Sequence, residues 1–241
     1  MSNTPAMKVE IWSDVMCPFC YIGKRNFEKA LEQFPEAQNI EVEWHSFMLD
    51  PDQKSDGNTN VYQYLADRKG MSLEQSKQMH QNVANMAKDA GLTYNFDKAI
   101  TANSFDAHRF SQYAKTQGLG DAAEEALFKA YFTDGKNIAD HQTLATLGQE
   151  IGLVAANVLA VLDSDEYAYQ VSQDVMEAQK IGVRGVPFFV LNRKYAVSGA
   201  QPSEQFLEVL QKSFGEWQEA NPAYNLQVQE GQSCDVDGEC D

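Results

Sequence analysis

Cys17-Pro18-Phe19-Cys20 is the segment of this chain best equipped for chemistry. Two cysteines two residues apart either exchange disulfides or supply half of a zinc site. Lys8 to Trp12 before the pair is short and β-prone, and Cys17 to Phe34 after it has helical periodicity, with Cys20, Phe27, Leu31 and Phe34 on one face. The pair therefore falls where a strand turns into a helix. There the first sulfur meets the unpaired N–H groups of the helix N-terminus, which favour the attacking thiolate. Cys17 is the expected nucleophile. Cys20, one helical turn on, is the expected resolving thiol that attacks the mixed disulfide at Cys17 and releases reduced substrate. Pro18 suits the first helical turn, where its missing N–H has no partner to lose. Phe19 adds apolar surface without charge, so Pro18 and Phe19 are candidate substrate contacts. The absence of a basic residue between the cysteines predicts a less strongly oxidising disulfide than such a residue would give.

A zinc site needs two further ligands at close quarters. Cys234 and Cys240 supply them only if the C-terminal tail folds back, and His45, His80, His108 and His141 show no paired ligand spacing. Redox chemistry is favoured, and no metal is expected. The tail pair has two readings: a second redox pair relaying electrons to or from Cys17 and Cys20, or an incidental loop between neighbouring thiols. Asp235, Asp237 and Glu239 between them are too few fixed ligands for a metal.

Nineteen Lys and Arg against 35 Asp and Glu leave a net charge of −16 over 241 residues. Such a surface repels nucleic acid and anionic membrane, so neither is an expected partner. Met1 to Met7 has no basic start and no secretory apolar run, and no later stretch has the length and apolarity to span a bilayer. A cytoplasmic location is expected, and in that reducing compartment two close cysteine pairs point to redox chemistry more than to structural bridges.

The elements that must position the cysteines fall into two groups. Ile40 to Phe47 alternates, with Ile40, Val42, Trp44 and Ser46 on one side and Glu41, Glu43 and His45 on the other, which completes a β-α-β unit. Val186 to Leu191 is an unbroken apolar run of the kind a central strand requires, and Asn192-Arg193 offers a turn before Tyr195 to Ser198. Phe206, Leu207, Leu210 and Phe214 then share a helical face, giving β-β-α. Between these halves the pattern is helical. Ser72 and Gln75 form a capping box, Met79, Val83, Met86 and Ala90 a stripe, and Gly91 a stop. Further helices are expected at about 105–117, 122–133, 142–151 and 165–181. The expected organisation is residues 7–51 and 174–216 as two parts of one α/β domain, 52–173 as an α-helical insertion, and 217–241 as an acidic tail.

These segments together resemble the DsbA-like thioredoxin-fold proteins, and within them the FrnE-like cytoplasmic group. The resemblance runs from about Lys8 to Phe214. It rests on Trp12-Ser13-Asp14 before Cys17-Pro18-Phe19-Cys20-Tyr21-Ile22-Gly23, on Asn103-Ser104-Phe105-Asp106-Ala107-His108-Arg109, on Ala130-Tyr131-Phe132, and on Gly182-Val183-Arg184-Gly185-Val186-Pro187. It implies an α/β, thioredoxin-like fold whose helical insertion lies over the cysteines, and dithiol–disulfide exchange without a tightly bound cofactor. Substrates would be protein or small-molecule disulfides and thiols, with a reducing or oxidising partner to reset the pair. By its residues alone Pro187 reads as a trans proline opening a strand; the resemblance implies a cis bond, with that loop facing the cysteines. Val186 would then offer its backbone N–H and C=O to an extended substrate segment.

Relatives of this fold that carry serine at the position of Cys17 are glutathione transferases of the kappa class and 2-hydroxychromene-2-carboxylate isomerases. They make a glutathione-dependent activity on a small molecule the alternative, with glutathione as co-substrate. The resemblance also places His108 and Arg109 above the active site, either as cations attracting a thiolate or a glutathione carboxylate, or as packing and ion-pairing residues. Asp14, three residues before Cys17, either takes protons from Cys20 through water or holds the turn.

Overall fold

Along the first strand Met7, Val9 and Ile11 alternate with Lys8, Glu10 and Trp12, and the two sets point to opposite faces of a sheet. In a computed structural model, which describes residues 6–54 and 59–222, this strand is β1 (Met7–Ser13). It leads into α1 (Pro18–Glu32) and then into β2 (Ile40–Ser46), which lies parallel to β1. After the helical region the chain returns as β3 (Phe188–Leu191) and β4 (Tyr195–Ser198) and closes with α9 (Ser203–Ala220). The sheet order is β2-β1-β3-β4, with β3 antiparallel to both neighbours. This is the expected β-α-β then β-β-α of a thioredoxin-like α/β fold with an α-helical insertion. Asn192 and Arg193, both at φ 52°, make the two-residue turn between β3 and β4.

Met7, Val9, Ile11, Phe189 and Leu191 pack against Phe27 of α1, Phe34 just beyond its end, and Phe206, Leu210 and Phe214 of α9. That apolar layer fixes α1 on the sheet, and with it the direction in which its N-terminus points. On the opposite face Trp12 and Val190 pack against Ala178 and Val183, at and just beyond the end of α8 (Ala168–Lys180).

The region between β2 and β3 contains α2 (Val61–Lys69), α3 (Leu73–Asp89), α4 (Phe105–Thr116), α5 (Gly120–Phe128), α6 (His141–Glu150), α7 (Ala155–Leu162) and α8. The Ser72–Gln75 capping box forms, and Gly91 follows α3 at φ 88°. Several expectations require correction. The sequence pattern missed α7 because its residues are almost all apolar and show no polar face. The helix expected at 122–133 ends at Phe128 and continues as a π-helical turn over Lys129–Asp134, where Ala130-Tyr131-Phe132 lies buried. On α3, Met79 and Met86 are exposed; the buried face is that of Ser76, Ala87 and Ala90. The expected boundary at 173/174 falls inside α8, and α9 carries Trp217 to Ala220 beyond the expected end of the domain. Cys234 and Cys240 lie outside the described residues.

Candidate active site

Cys17 is the N-cap of α1, extended at φ −87° and ψ 112°, with Pro18 in the first turn. Its N–H donates to the Asp14 carbonyl at 2.9 Å, and the Cys20 N–H donates to the Cys17 carbonyl at 3.0 Å. A tight turn thus delivers the chain from β1 to the helix start, and both sulfurs sit at the seam between sheet and insertion. Cys17 is 4% exposed and Cys20 fully buried. Burial first, and the neighbouring Cys17 second, push the Cys20 thiol well up, outweighing the Ser13 hydroxyl and the Asp14 backbone, which pull it down. Cys20 therefore holds its proton at neutral pH.

Across from the pair the Val186–Pro187 peptide bond is cis. The Cys17 Sγ–H donates to the Val186 carbonyl at 3.4 Å, and the Gly199 N–H donates to the Pro187 carbonyl at 2.8 Å. Gly23 makes this approach possible. A Cβ there would lie 2.9 Å from Pro187 Cγ and 3.4 Å from Phe189 Cζ, so any larger residue drives α1 off the proline loop.

The insertion holds α1 by aromatic stacking. Tyr21 lies on Phe128 with ring centroids 5.0 Å apart, and Tyr94 lies on Phe132 at 4.6 Å. The Tyr94 hydroxyl donates to the Pro18 carbonyl at 2.7 Å, and that of Tyr21 donates to Glu125 Oε1 at 2.6 Å. Burial pushes the Tyr94 hydroxyl far above its usual range, so it stays a donor. Phe19 is the exposed member of the motif, at 38%.

Asp14 is fully buried, and its carboxylate accepts from the Leu49 N–H at 2.7 Å and the Met16 N–H at 3.2 Å. His108 Nε2 stands 3.6 Å from Asp14 Oδ1. Burial alone would raise the Asp14 carboxyl, but His108 and the two N–H groups more than offset it and hold it below the usual range. Burial would likewise lower His108, and Asp14 more than offsets that. The geometry at Asp14 is that of a turn anchor tied to α4.

Arg109 does not join this group. Among the described residues its hydrogen bonds go to Asp106 Oδ1 at 2.8 Å and to the carbonyls of Val161, Leu162, Ser164 and Glu166. Its guanidinium closes the C-terminal end of α7, where orphan carbonyls gather, so of the two readings of Arg109 the structure matches packing and ion pairing. Ser13, Gly23 and Tyr94 were not singled out from the sequence. Glycine inside an otherwise regular helix was a signal for Gly23; nothing local marks Tyr94. The groove of about 570 Å³ lined by Met48, Pro51, Phe105 and Asp106 includes neither cysteine.

A thioredoxin-like sheet that presents a C-x-x-C at a helix N-terminus, opposite a cis-proline loop, defines an oxidoreductase of the thioredoxin class. The DSBA-like thioredoxin domain model matches residues 8–211, and the chain belongs to that family. It is 39% identical to the probable DsbA oxidoreductase SCO1869 from Streptomyces coelicolor, with a TM-score of 0.82 and 98% of each chain covered. The uncharacterized protein YwbO of Bacillus subtilis (strain 168) is 27% identical over 191 residues, covering 76% of this chain and 86% of YwbO. The cytosolic disulfide reductase DsbM from Pseudomonas aeruginosa shares the fold at 17% identity and a TM-score of 0.64, covering 87% of this chain and 99% of DsbM. Among the described residues no helix is long and apolar enough to cross a membrane.

Proposed function

We propose that this chain is a cytoplasmic thiol–disulfide oxidoreductase/isomerase of the FrnE-like group, acting on protein or small-molecule disulfides and thiols through Cys17 and Cys20. The observation that carries this is the placement of Cys17 at the N-cap of α1, with its sulfur 3.4 Å from the Val186 carbonyl and Cys20 buried one turn behind. The Cys17 thiolate attacks one sulfur of a substrate disulfide, forms a mixed disulfide and expels the other substrate sulfur as thiolate. Cys20 loses its proton and attacks Cys17 Sγ, forming the Cys17–Cys20 disulfide and releasing the second substrate thiolate. A dithiol partner resets the pair by supplying two electrons and two protons; run in reverse, the same steps oxidise substrate.

Once Cys17 is deprotonated, the Val186 carbonyl is free to accept from a substrate N–H, so the Pro187 loop aligns an extended segment across the sulfur. Pro18 and Phe19 form the apolar rim that segment meets. In this account Cys234 and Cys240 relay electrons to or from the buried pair, and no cofactor is held tightly. The test is exchange on a model protein disulfide. Cys17→Ser is expected to reduce turnover to background and Cys20→Ser to trap a mixed disulfide; full activity in Cys17→Ser overturns the assignment. Cys234→Ser combined with Cys240→Ser is expected to slow turnover while leaving the first exchange intact.

The 4% exposure of Cys17 favours one further candidate, a small thiol such as glutathione as co-substrate. DsbM from Pseudomonas aeruginosa, which shares the fold, has been solved with GSH. If Cys20→Ser retains glutathione-dependent conjugation or isomerisation of a small molecule while protein-disulfide exchange is negligible, the transferase or isomerase alternative takes over.

A further inference from the structure

On the face of the sheet away from α1, the parallel register of β1 and β2 sets Glu10 beside Glu43 and Trp12 beside His45. His45 stacks on Trp12 with ring centroids 4.5 Å apart, and its Nδ1 lies 2.7 Å from Asp174 Oδ1 on α8. Asp174 Oδ2 accepts from the Ser46 N–H at 2.8 Å and from the Gln112 side-chain amide. These contacts fix the ring so that Nε2 faces the two glutamates, 3.4 Å from Glu10 Oε1 and 3.9 Å from Glu43 Oε1. Glu10 is 3% exposed and His45 8%, yet Glu10 Oε2 and His45 Nε2 make no hydrogen bond among the described residues. Buried polar atoms without a partner are costly, and both of these belong to side chains that meet in this cluster.

We propose that Glu10, Glu43 and His45 form a binding site for one divalent transition cation, Zn²⁺ fitting it best, with Asp174 as the carboxylate that orients His45. One ligand atom from each of the three lies within 4.8 Å of the others. Donors bound at about 2.1 Å to a tetrahedral ion stand about 3.4 Å apart, so small side-chain movements close the site. One imidazole and two carboxylates suit Zn²⁺ or Mn²⁺ and reject soft ions that prefer sulfur. The Asp174–His45 contact is the second-sphere arrangement that fixes the tautomer of a metal-bound histidine.

The surrounding charge also favours a cation. Glu10, Glu41, Glu43, Asp174 and Glu177 outnumber the bases that pair with them, Lys8, His45, Lys115 and Arg193. Lys8 and Arg193, which pair with Glu43 and Glu10, are half exposed, so an entering ion displaces head groups that water can take over. A groove of about 620 Å³, lined by the three ligands with Lys8, Glu177 and Arg193, provides the way in.

The test uses the full chain with all four cysteines changed to serine, so that thiolates cannot bind the metal, and titrates it calorimetrically with Zn²⁺. One ion per chain is expected. His45→Gln should abolish binding, Glu43→Gln should weaken it about tenfold or more, and Asp174→Asn should weaken it about 10- to 100-fold. Arg193→Ala, which removes a competing cation from Glu10, should bind more tightly, and Zn²⁺ should raise its melting temperature more than that of the parent. No saturable binding, or binding unchanged in both His45→Gln and Glu43→Gln, overturns the proposal. Should circular dichroism show His45→Gln unfolded, the half-buried Glu43→Gln decides the matter alone.

Discussion

The two buried aspartate–histidine pairs among the described residues, Asp14–His108 and Asp174–His45, are built differently. Asp14 and His108 meet at the turn before Cys17, where the carboxylate accepts from the Met16 and Leu49 N–H groups and both side chains are sealed from solvent. Asp174 and His45 lie under α8, closer together at 2.7 Å, but the far nitrogen of His45 opens onto a groove that holds two more carboxylates. Each pair ties a helix of the inserted region to the sheet or to the turn that follows it. The sealed pair holds the turn to Cys17 and is closed off from solvent, with His108 Nε2 making no hydrogen bond among the described residues; the open pair presents His45 Nε2 to two more carboxylates. A buried charge pair serves as an anchor when it is closed off from solvent, and as a receptor when its unpartnered nitrogen opens onto a groove with further ligands.

Breaking the sealed pair should have the largest effect. Asp14→Ala leaves two N–H groups and a buried imidazole unmatched, and should cost about 3–5 kcal/mol in urea unfolding, with exchange slowed as the turn to Cys17 loosens. Asp174→Asn keeps the shape and one acceptor oxygen, so without added metal it should cost about 1–3 kcal/mol and leave exchange at the wild-type rate. Loss of exchange in this variant would show that the two regions are coupled.

Gly23→Ala tests the platform between them. Helix propensity favours alanine by about 1 kcal/mol, but the added methyl meets Pro187, so a net loss of about 1 kcal/mol is expected. Exchange should slow about tenfold, because Cys17 shifts relative to Val186.

The smallest effect is the pH dependence of the sealed pair. His108 is raised above its ordinary 6.5, so its contribution is complete below pH 6.5 and is lost as pH rises through the folded value. Asp14 is lowered below 3.8, so its contribution is complete above that value and is lost as pH falls through the folded one. Thermal melts should therefore weaken as pH rises above 6.5 in the wild type and change less in His108→Gln.

Local pattern carried much of the fold into view. Alternation in β1 and β2, the apolar run of β3, the Asn192-Arg193 turn and the capping box at Ser72 each depend on a few neighbouring residues, and each forms. The pattern was silent where no polar face breaks the apolar run, as in α7, and it was half right on α3, where Val83 and Ala90 of the expected stripe pack with Ser76 and Ala87 while Met79 and Met86 face out. The resemblance placed His108 and Arg109 together above the active site, as cations or as packing and ion-pairing residues; adjacent helical residues diverge by about 100°, so His108 faces Asp14 while Arg109 reaches the end of α7.

The sequence by itself determined that Cys17 and Cys20 follow a strand and open a helix, since that requires only periodicity and the order of residues. Only the tertiary structure decided what surrounds them. The carbonyl of Val186, the ring of Tyr94 and the turn anchored through Asp14 to His108 come from segments 76 to 169 residues distant, brought together by sheet order and helix packing. The same holds for Glu10, Glu43 and His45, whose spacing along the chain suggests no ligand set until the parallel register places the strands side by side.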